Sequence, residues 1–285
     1  MSRIAYVNGR YVAHQTARVH VEDRGYQFAD GVYEVWSVRG GVLQDHASHM
    51  DRLQRSLREL GIPFVHSVGS LNILLYEVLR RNQIVEGIVY LQITRGVTSR
   101  DHAWPANLLP SLIITAKTIN PIIAEAQAKI GVSIITTPDL RWKRCDIKSI
   151  SLLPNVLAKQ LAISVGCTEA WLVDEEGFVT EGTSTNAWIV THDDVLVTRD
   201  LSHQILSGVT RLALLELATQ HQLKTAQRKF TVEEACQAKE AFISAATTWV
   251  LPVVAIDGTK IGTGKPGPLG TLLRQAYLAA SISVR

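Results

Sequence analysis

Cysteine is scarce in this chain: Cys145, Cys167 and Cys236 are the only three in 285 residues. They are odd in number, far apart and without CxxC spacing, which argues against a disulfide framework or a zinc site. A reducing cytoplasm is the expected compartment. Long apolar runs are also lacking, and none approaches the length that spans a bilayer, so no membrane partner is expected. The opening residues, Met1-Ser-Arg-Ile-Ala-Tyr, have none of the apolar stretch of a signal peptide. Neither sign of charge dominates. Lys+Arg minus Asp+Glu is 29 − 26 = +3, too thin and too scattered a surplus to suggest nucleic acid. Internal repeats and low-complexity stretches are missing too. What is there is ordinary: 46% hydrophobic and 19% charged residues, in a chain long for one domain and comfortable for two.

The first part reads as strands, then helices, then strands. Asn8-Gly9 between short apolar runs marks a hairpin over Ile4–Ala13, and Arg39-Gly40-Gly41 marks a second between Gly31–Val38 and Val42–Gln44. Helical spacing follows in Ala47–Leu60 and Ser70–Asn82, and strand patterns return in Gly87–Thr94 and Leu112–Ala116. Polar residues and Pro121 break the pattern at Lys117–Pro121. Beyond it come strands near Lys129–Thr137, Glu169–Val173, Ala187–Val190, Val195–Val197, Ala241–Ser244 and Val253–Ile256. Helices are expected over Pro154–Val165, Thr210–His221, Val232–Cys236 and Pro268–Ser281. Mixed elements in both halves predict an α+β protein of two lobes with a cleft between them, where small ligands tend to bind. The expected division is a small N-terminal domain over 1–117, a linker over 118–122 and a larger C-terminal domain over 123–285.

Several segments carry residues suited to chemistry. Lys148, in Arg144-Cys-Asp-Ile-Lys-Ser, stands between a strand and an apolar helix. A desolvated lysine there is fit to form a Schiff base; read alone, it is equally a surface lysine in a basic loop. Glu181 sits where a strand gives way to small and hydroxyl residues, and a buried carboxylate there needs a cation, whereas an exposed one needs nothing. His49 and Arg52 share a helix face, suited to a phosphate or simply to solvent. Ser207-Gly-Val-Thr-Arg precedes an apolar helix, whose N-terminus can take an anion or merely be capped. The loop after Thr94-Arg95 holds Arg100 and His102, suited to gripping a carboxylate.

The order of these segments is more informative than any one of them. The run from Arg24 through Tyr33-Glu-Val, the His49…Arg52-Leu53 pair, Thr94-Arg95-Gly…Arg100-Asp-His102, Arg144-Cys-Asp-Ile-Lys148-Ser and Thr180-Glu181-Gly…Asn186 together closely resemble the D-amino acid transaminases. These belong to the fold-type IV pyridoxal-phosphate enzymes, and the resemblance spans nearly the whole chain. It implies a two-domain fold with pyridoxal 5'-phosphate in the cleft between a small and a large lobe. It implies ping-pong transfer of an amino group, through a pyridoxamine form, from a D-amino acid such as D-alanine to a 2-oxo acid such as 2-oxoglutarate. Lys148 matches the lysine that holds the cofactor and shuttles the proton. Glu181 matches the carboxylate facing the pyridine nitrogen, and Arg52, Val209, Thr210 and Thr247 match cofactor contacts. Tyr33, Arg100 and His102 match the trap for the substrate carboxylate, the last two supplied by the neighbouring subunit of a homodimer.

One segment departs from the family pattern. Ala245 and Ala246 stand where hydroxyl residues are common, and Trp249 follows, bulky enough to reshape a substrate pocket. Arg141, Lys143 and Arg144 add positive charge beside the lysine motif, suited either to acidic keto acids or to structural pairing. Two related activities share the lysine and glutamate: an aminodeoxychorismate lyase-like reaction and transamination of (R)-amines.

Overall fold

A computed structural model describes residues 3–283. The chain divides into two compact units. The first comprises Met1–Asn120 with Ile147–Ser151, and the second Pro121–Asp146 with Leu152–Arg285.

The first unit opens with strands β1 (Ile4–Val7) and β2 (Arg10–Ala13), turned by Asn8 and Gly9 at positive φ. The short helix α1 (Arg24–Phe28) follows, capped by Asp23, whose Oδ1 accepts from the Gly25 N–H at 2.9 Å. Next come β3 (Gly31–Arg39), β4 (Val42–Leu43), helices α2 (His46–Glu59) and α3 (Val68–Arg81), then β5 (Gly87–Thr94) and β6 (Ser111–Thr118). Among the described residues the strands form one antiparallel sheet in the order β2-β1-β6-β5-β3-β4. Alternation along the strands sets its two faces. Val32, Trp36 and Val38 of β3, with Val89, Leu91 and Ile93 of β5, join Leu53 and Leu57 of α2 and Leu71 and Leu75 of α3 in one core. Each such leucine contributes on the order of 1.5–3 kcal/mol by leaving water. The opposite face carries Tyr33, Tyr90 and Gln92, all half-buried.

The second unit begins with α4 (Pro121–Ile130), β7 (Val132–Pro138), α5 (Leu153–Ser164), β8 (Glu169–Val173), β9 (Val179–Gly182), β10 (Asn186–Val190) and β11 (Leu196–Thr198). It continues with α6 (Val209–Gln220), β12 (Thr225–Gln227), α7 (Val232–Cys236), β13 (Glu240–Ala245), β14 (Trp249–Ile256), β15 (Thr259–Lys260) and α8 (Pro268–Ser283). The sheet runs β12-β11-β10-β13-β14-β7-β8-β9, with β15 on β14, and mixes parallel and antiparallel pairs. Strand β10 is buried on both faces, and after Asn186 it reads as a continuous apolar run, Ala187–Val190. Ala187 and Ile189 enter one core with Phe230 and Val253, while Trp188 and Val190 enter another with Leu214 of α6 and Leu273 of α8.

Helices α1 and α4 were not expected from the sequence. Of α4's residues only Ala128 is buried, and Ile122, Ile123 and Ile130 are exposed, so no apolar stripe marks it. Helix α1 is too short for periodicity and contains a glycine. Trp249 is the first residue of β14. At 8% exposure it packs into the core with Trp188, Phe242, Leu273 and Tyr277, because its β14 position faces the helices α6 and α8.

Candidate active site

Within the first unit, Lys148 is brought to the start of β3. Its carbonyl accepts from the Tyr33 N–H at 3.1 Å, Ser149 bridges Val32, and the Ile150 N–H donates to the Gly31 carbonyl at 3.0 Å. The Lys148 N–H donates to Ser56 Oγ of α2 at 3.3 Å. Its ammonium Nζ lies 4.1 Å from the centre of the Tyr33 ring, within cation–π range. Tyr33 in turn stacks on Tyr90 at 5.7 Å, and the Tyr90 hydroxyl donates to Gln92 Oε1 at 2.6 Å. Burial, with a further push from Tyr33, raises the Tyr90 phenol to about 12. Lys148 and Tyr33 are therefore neighbours, though 115 positions separate them (148 − 33).

Arg52 is turned toward the sheet. Its Nε donates to Glu34 Oε1 at 2.7 Å and its Nη2 to Glu34 Oε2 at 2.8 Å, a two-pronged grip. His49 Nδ1 stands 2.7 Å from the same Oε2. Glu34 is fully buried. Burial alone would raise its carboxyl, but Arg52 and His49 outweigh it and hold the group well below the usual carboxylate range. Sequence reasoning missed Glu34, although a signal was present: it occupies the inward phase of Val32-Tyr-Glu34-Val-Trp36, where a charge requires partners.

Arg100 and His102 belong to the irregular, exposed loop between β5 and β6. Both are gathered against the Phe28 ring of α1, the Arg100 guanidinium carbon 5.0 Å and the His102 ring 5.6 Å from its centre. The loop leaves β5 through Gly96 at φ +112°. A Cβ there would lie 1.9 Å from the Leu109 carbonyl oxygen, so only glycine fits.

In the second unit, Glu181 at the end of β9 is 5% exposed. Arg141 Nη1 donates to its Oε1, Asn186 Nδ2 donates to its Oε2 at 3.0 Å, and the Leu206 N–H reaches both oxygens at 3.2 Å. Burial pushes the Glu181 carboxyl up, against the pull of Arg141. Asn186 also donates to the Leu206 carbonyl at 3.1 Å and leads to the start of α6. A Cβ on the cap residue Gly208 would lie 2.0 Å from Asn186 Oδ1. Val209 and Thr210 open α6, buried, without any side-chain cap at Gly208. The Thr210 Oγ1 is buried and has no hydrogen-bond partner among the described residues. Thr247 is half-buried in the turn between β13 and β14.

The family profile described as amino-transferase class IV matches residues 31–256. The chain belongs to the class IV aminotransferases. It is 42% identical over 262 residues to a D-alanine aminotransferase of Bacillus licheniformis, covering 92% of this chain and 91% of that one. To a D-alanine aminotransferase of Staphylococcus aureus (strain MSSA476) it is 35% identical over 274 residues, covering 95% of each. Among solved structures, the branched-chain amino acid aminotransferase of Escherichia coli superposes with TM-score 0.88 at 24% identity, covering 99% of this chain and 95% of that one. A hypothetical aminotransferase of Mycobacterium tuberculosis, in a PLP-bound form, gives TM-score 0.85 at 21% identity, covering 99% and 100%. The fold is thus the fold-type IV aminotransferase fold.

The two arginines of the basic run before Lys148 in this aminotransferase bond its own carboxylates. Arg141 bonds Asp139 and Glu181 as well as the Gln204 carbonyl, and Arg144 pairs with Asp146 at 2.9 Å. Of the two readings of that basic run, structural pairing accounts for both arginines. Arg141 itself was not expected beside Glu181, because 40 positions separate them.

Proposed function

We propose that this chain is a pyridoxal 5'-phosphate-dependent D-amino acid transaminase, moving an amino group from a D-amino acid such as D-alanine to a 2-oxo acid such as 2-oxoglutarate. The observation that carries this reading is the 42% identity, over nine-tenths of the chain, to a D-alanine aminotransferase. The side chains fit the cofactor. An uncapped helix start with an unpartnered, buried Thr210 hydroxyl suits a phosphate, since the first N–H groups of a helix have no internal acceptor. A buried carboxylate at Glu181, pushed up by burial, suits a cationic ring nitrogen, which would offset its desolvation. When bound, the pyridoxal ring supplies an electron sink for the pair left when the α-proton departs.

In this reading the chain's own residues bind, orient and move a proton. Lys148 would hold the cofactor, and its amine would carry the proton from the substrate α-carbon; its position on the chain would make that transfer effectively intramolecular. Glu181, fixed by Arg141, Asn186 and the Leu206 amide, holds the proton at the ring nitrogen. Arg52, Val209, Thr210 and Thr247 bind the cofactor, with Glu34 holding the Arg52 guanidinium. Tyr33, Arg100 and His102 grip the substrate carboxylate, which fixes the direction of the α-C–H bond and hence the enantiomer that reacts. Arg100 and His102 serve the neighbouring subunit, so the working form is a homodimer. The first unit, with Arg52 and Lys148, acts as the small domain and the second, with Glu181, Val209, Thr210 and Thr247, as the larger domain, in a cytoplasmic enzyme.

The deciding experiment is the absorption spectrum of the loaded protein with D-alanine and, separately, L-alanine. D-alanine alone should bleach the long-wavelength band, and Lys148→Ala should remove turnover while the protein stays folded. A band indifferent to both enantiomers would redirect the search to amines without a carboxylate and to lyase substrates.

A further inference from the structure

Beneath the exposed loop that carries Arg100 and His102 lies a buried cation with no part in the roles assigned above. Arg24, the first residue of α1, is 3% exposed. Its Nε donates to Asp30 Oδ2 at 2.8 Å. Its Nη1 donates to the carbonyl oxygens of Asp101 at 2.6 Å and Ala103 at 3.5 Å, and its Nη2 to that of His102 at 3.1 Å. Three consecutive backbone carbonyls of the loop thus converge on one planar fork. One turn along α1, the Phe28 ring lies 4.7 Å from the Arg24 guanidinium carbon and also receives Arg100 and His102. Asp30 Oδ2 is shared with Arg95, whose Nη groups donate to the Leu60 and Gly61 carbonyls and whose guanidinium lies 3.9 Å from the Trp104 ring. Two buried guanidiniums therefore face a single carboxylate, and the loop carbonyls supply the rest of the compensation for Arg24.

We infer that Arg24 is a positioning residue for the substrate carboxylate, holding residues 101–103 so that Arg100 and His102 stand at a fixed spacing. The inference rests on the reading of Arg100 and His102 as the carboxylate trap. A bridge between Asp23 and Val97, with the Arg24 N–H on the Gly96 carbonyl at 2.9 Å, pins the start of the loop; beyond Thr98, among the described residues, no strand ladder holds it, and its outer side is open to water. The buried fork under its backbone sets its height and orientation. A lysine at position 24 would keep the charge but present one point donor group in place of a fork that reaches three carbonyls.

The test compares kcat and KM for D-alanine in the loaded wild type, Arg24→Lys, Arg100→Ala and the double variant, with the rate of cofactor loss measured alongside. Arg24→Lys should raise KM by about tenfold or more, with a smaller change in kcat and unchanged cofactor loss, as expected for lost binding rather than lost chemistry. On the Arg100→Ala background the same substitution should add less than about twofold, because residues acting through one another are not additive. An equal rise on both backgrounds would show that Arg24 acts elsewhere and overturn the inference. So would an unchanged KM in Arg24→Lys where Arg100→Ala raises it. An unchanged KM in Arg100→Ala would instead overturn the trap itself. Should Arg24→Lys fail to fold, Phe28→Leu provides the second variant. It should raise KM and speed amide exchange in residues 100–104 only; unchanged KM and exchange would count against the inference.

Discussion

Glu34 is the residue on which the interior of the first unit places its largest electrostatic demand. It is fully buried and satisfied by Arg52 and His49. Removing the carboxylate takes away the acceptor of two hydrogen bonds from the largely buried Arg52 guanidinium, so Glu34→Ala should cost about 3–5 kcal/mol in denaturant unfolding. The pH dependence follows from the direction of its shift. The folded carboxyl sits well below its ordinary value of 4.5, so its contribution is complete above that unfolded value and is lost as pH falls from there toward the folded one. Stability measured between pH 7 and pH 3 should therefore drop below about 4.5, and Glu34→Gln should flatten the drop that this group causes. An acid profile identical in Glu34→Gln would show that other carboxylates dominate.

At the scale of elements, the start of α6 shows how a helix end is fitted to a side chain of the sheet. Gly208 has φ −67°, a backbone that any residue adopts, so a substitution there tests space alone. A Cβ would meet Asn186 Oδ1 at 2.0 Å and displace the amide that supports Glu181. Gly208→Ala should lower stability by about 1–3 kcal/mol, the cost of a buried polar group left without its partner, and speed cofactor loss by about tenfold, the scale of a lost supporting contact at a bound group. Cofactor retention equal to wild type would remove this linkage. Elements with a strong local pattern were legible in the sequence. Strand β5 and helix α7 lie at the positions expected for them, Gly87–Thr94 and Val232–Cys236, because alternation and a Thr231 cap are local signals. Helix α4 was not legible, since its isoleucines face outward and no stripe distinguishes them.

At the scale of the whole molecule, the proposed exchange of Arg100 and His102 between subunits makes a definite prediction. Lys148→Ala lacks the lysine and Arg100→Ala lacks the trap. In a mixed dimer one site receives both native residues. Random reassembly of equal amounts should then restore up to about a quarter of wild-type activity at low D-alanine, because half the dimers are mixed and each has one intact site. No recovery after exchange of subunits, checked by tagged co-purification, would place the trap and the lysine in the same chain.

Sequence alone determined the family, the order of the chemical motifs and most elements, because each depends on residues near one another along the chain. It identified Lys148, Glu181 and Arg52 as candidates without naming what holds them. The tertiary structure decided those partners: Tyr33 and Ser56 for Lys148, Glu34 for Arg52, and Arg141 with Asn186 for Glu181. It also brought Ile147–Ser151 back to the first unit and set Arg24 beneath three carbonyls. Backbone acceptors are the same at every position, so no side-chain pattern reveals which of them a buried guanidinium will meet. Only the path of the folded chain does so.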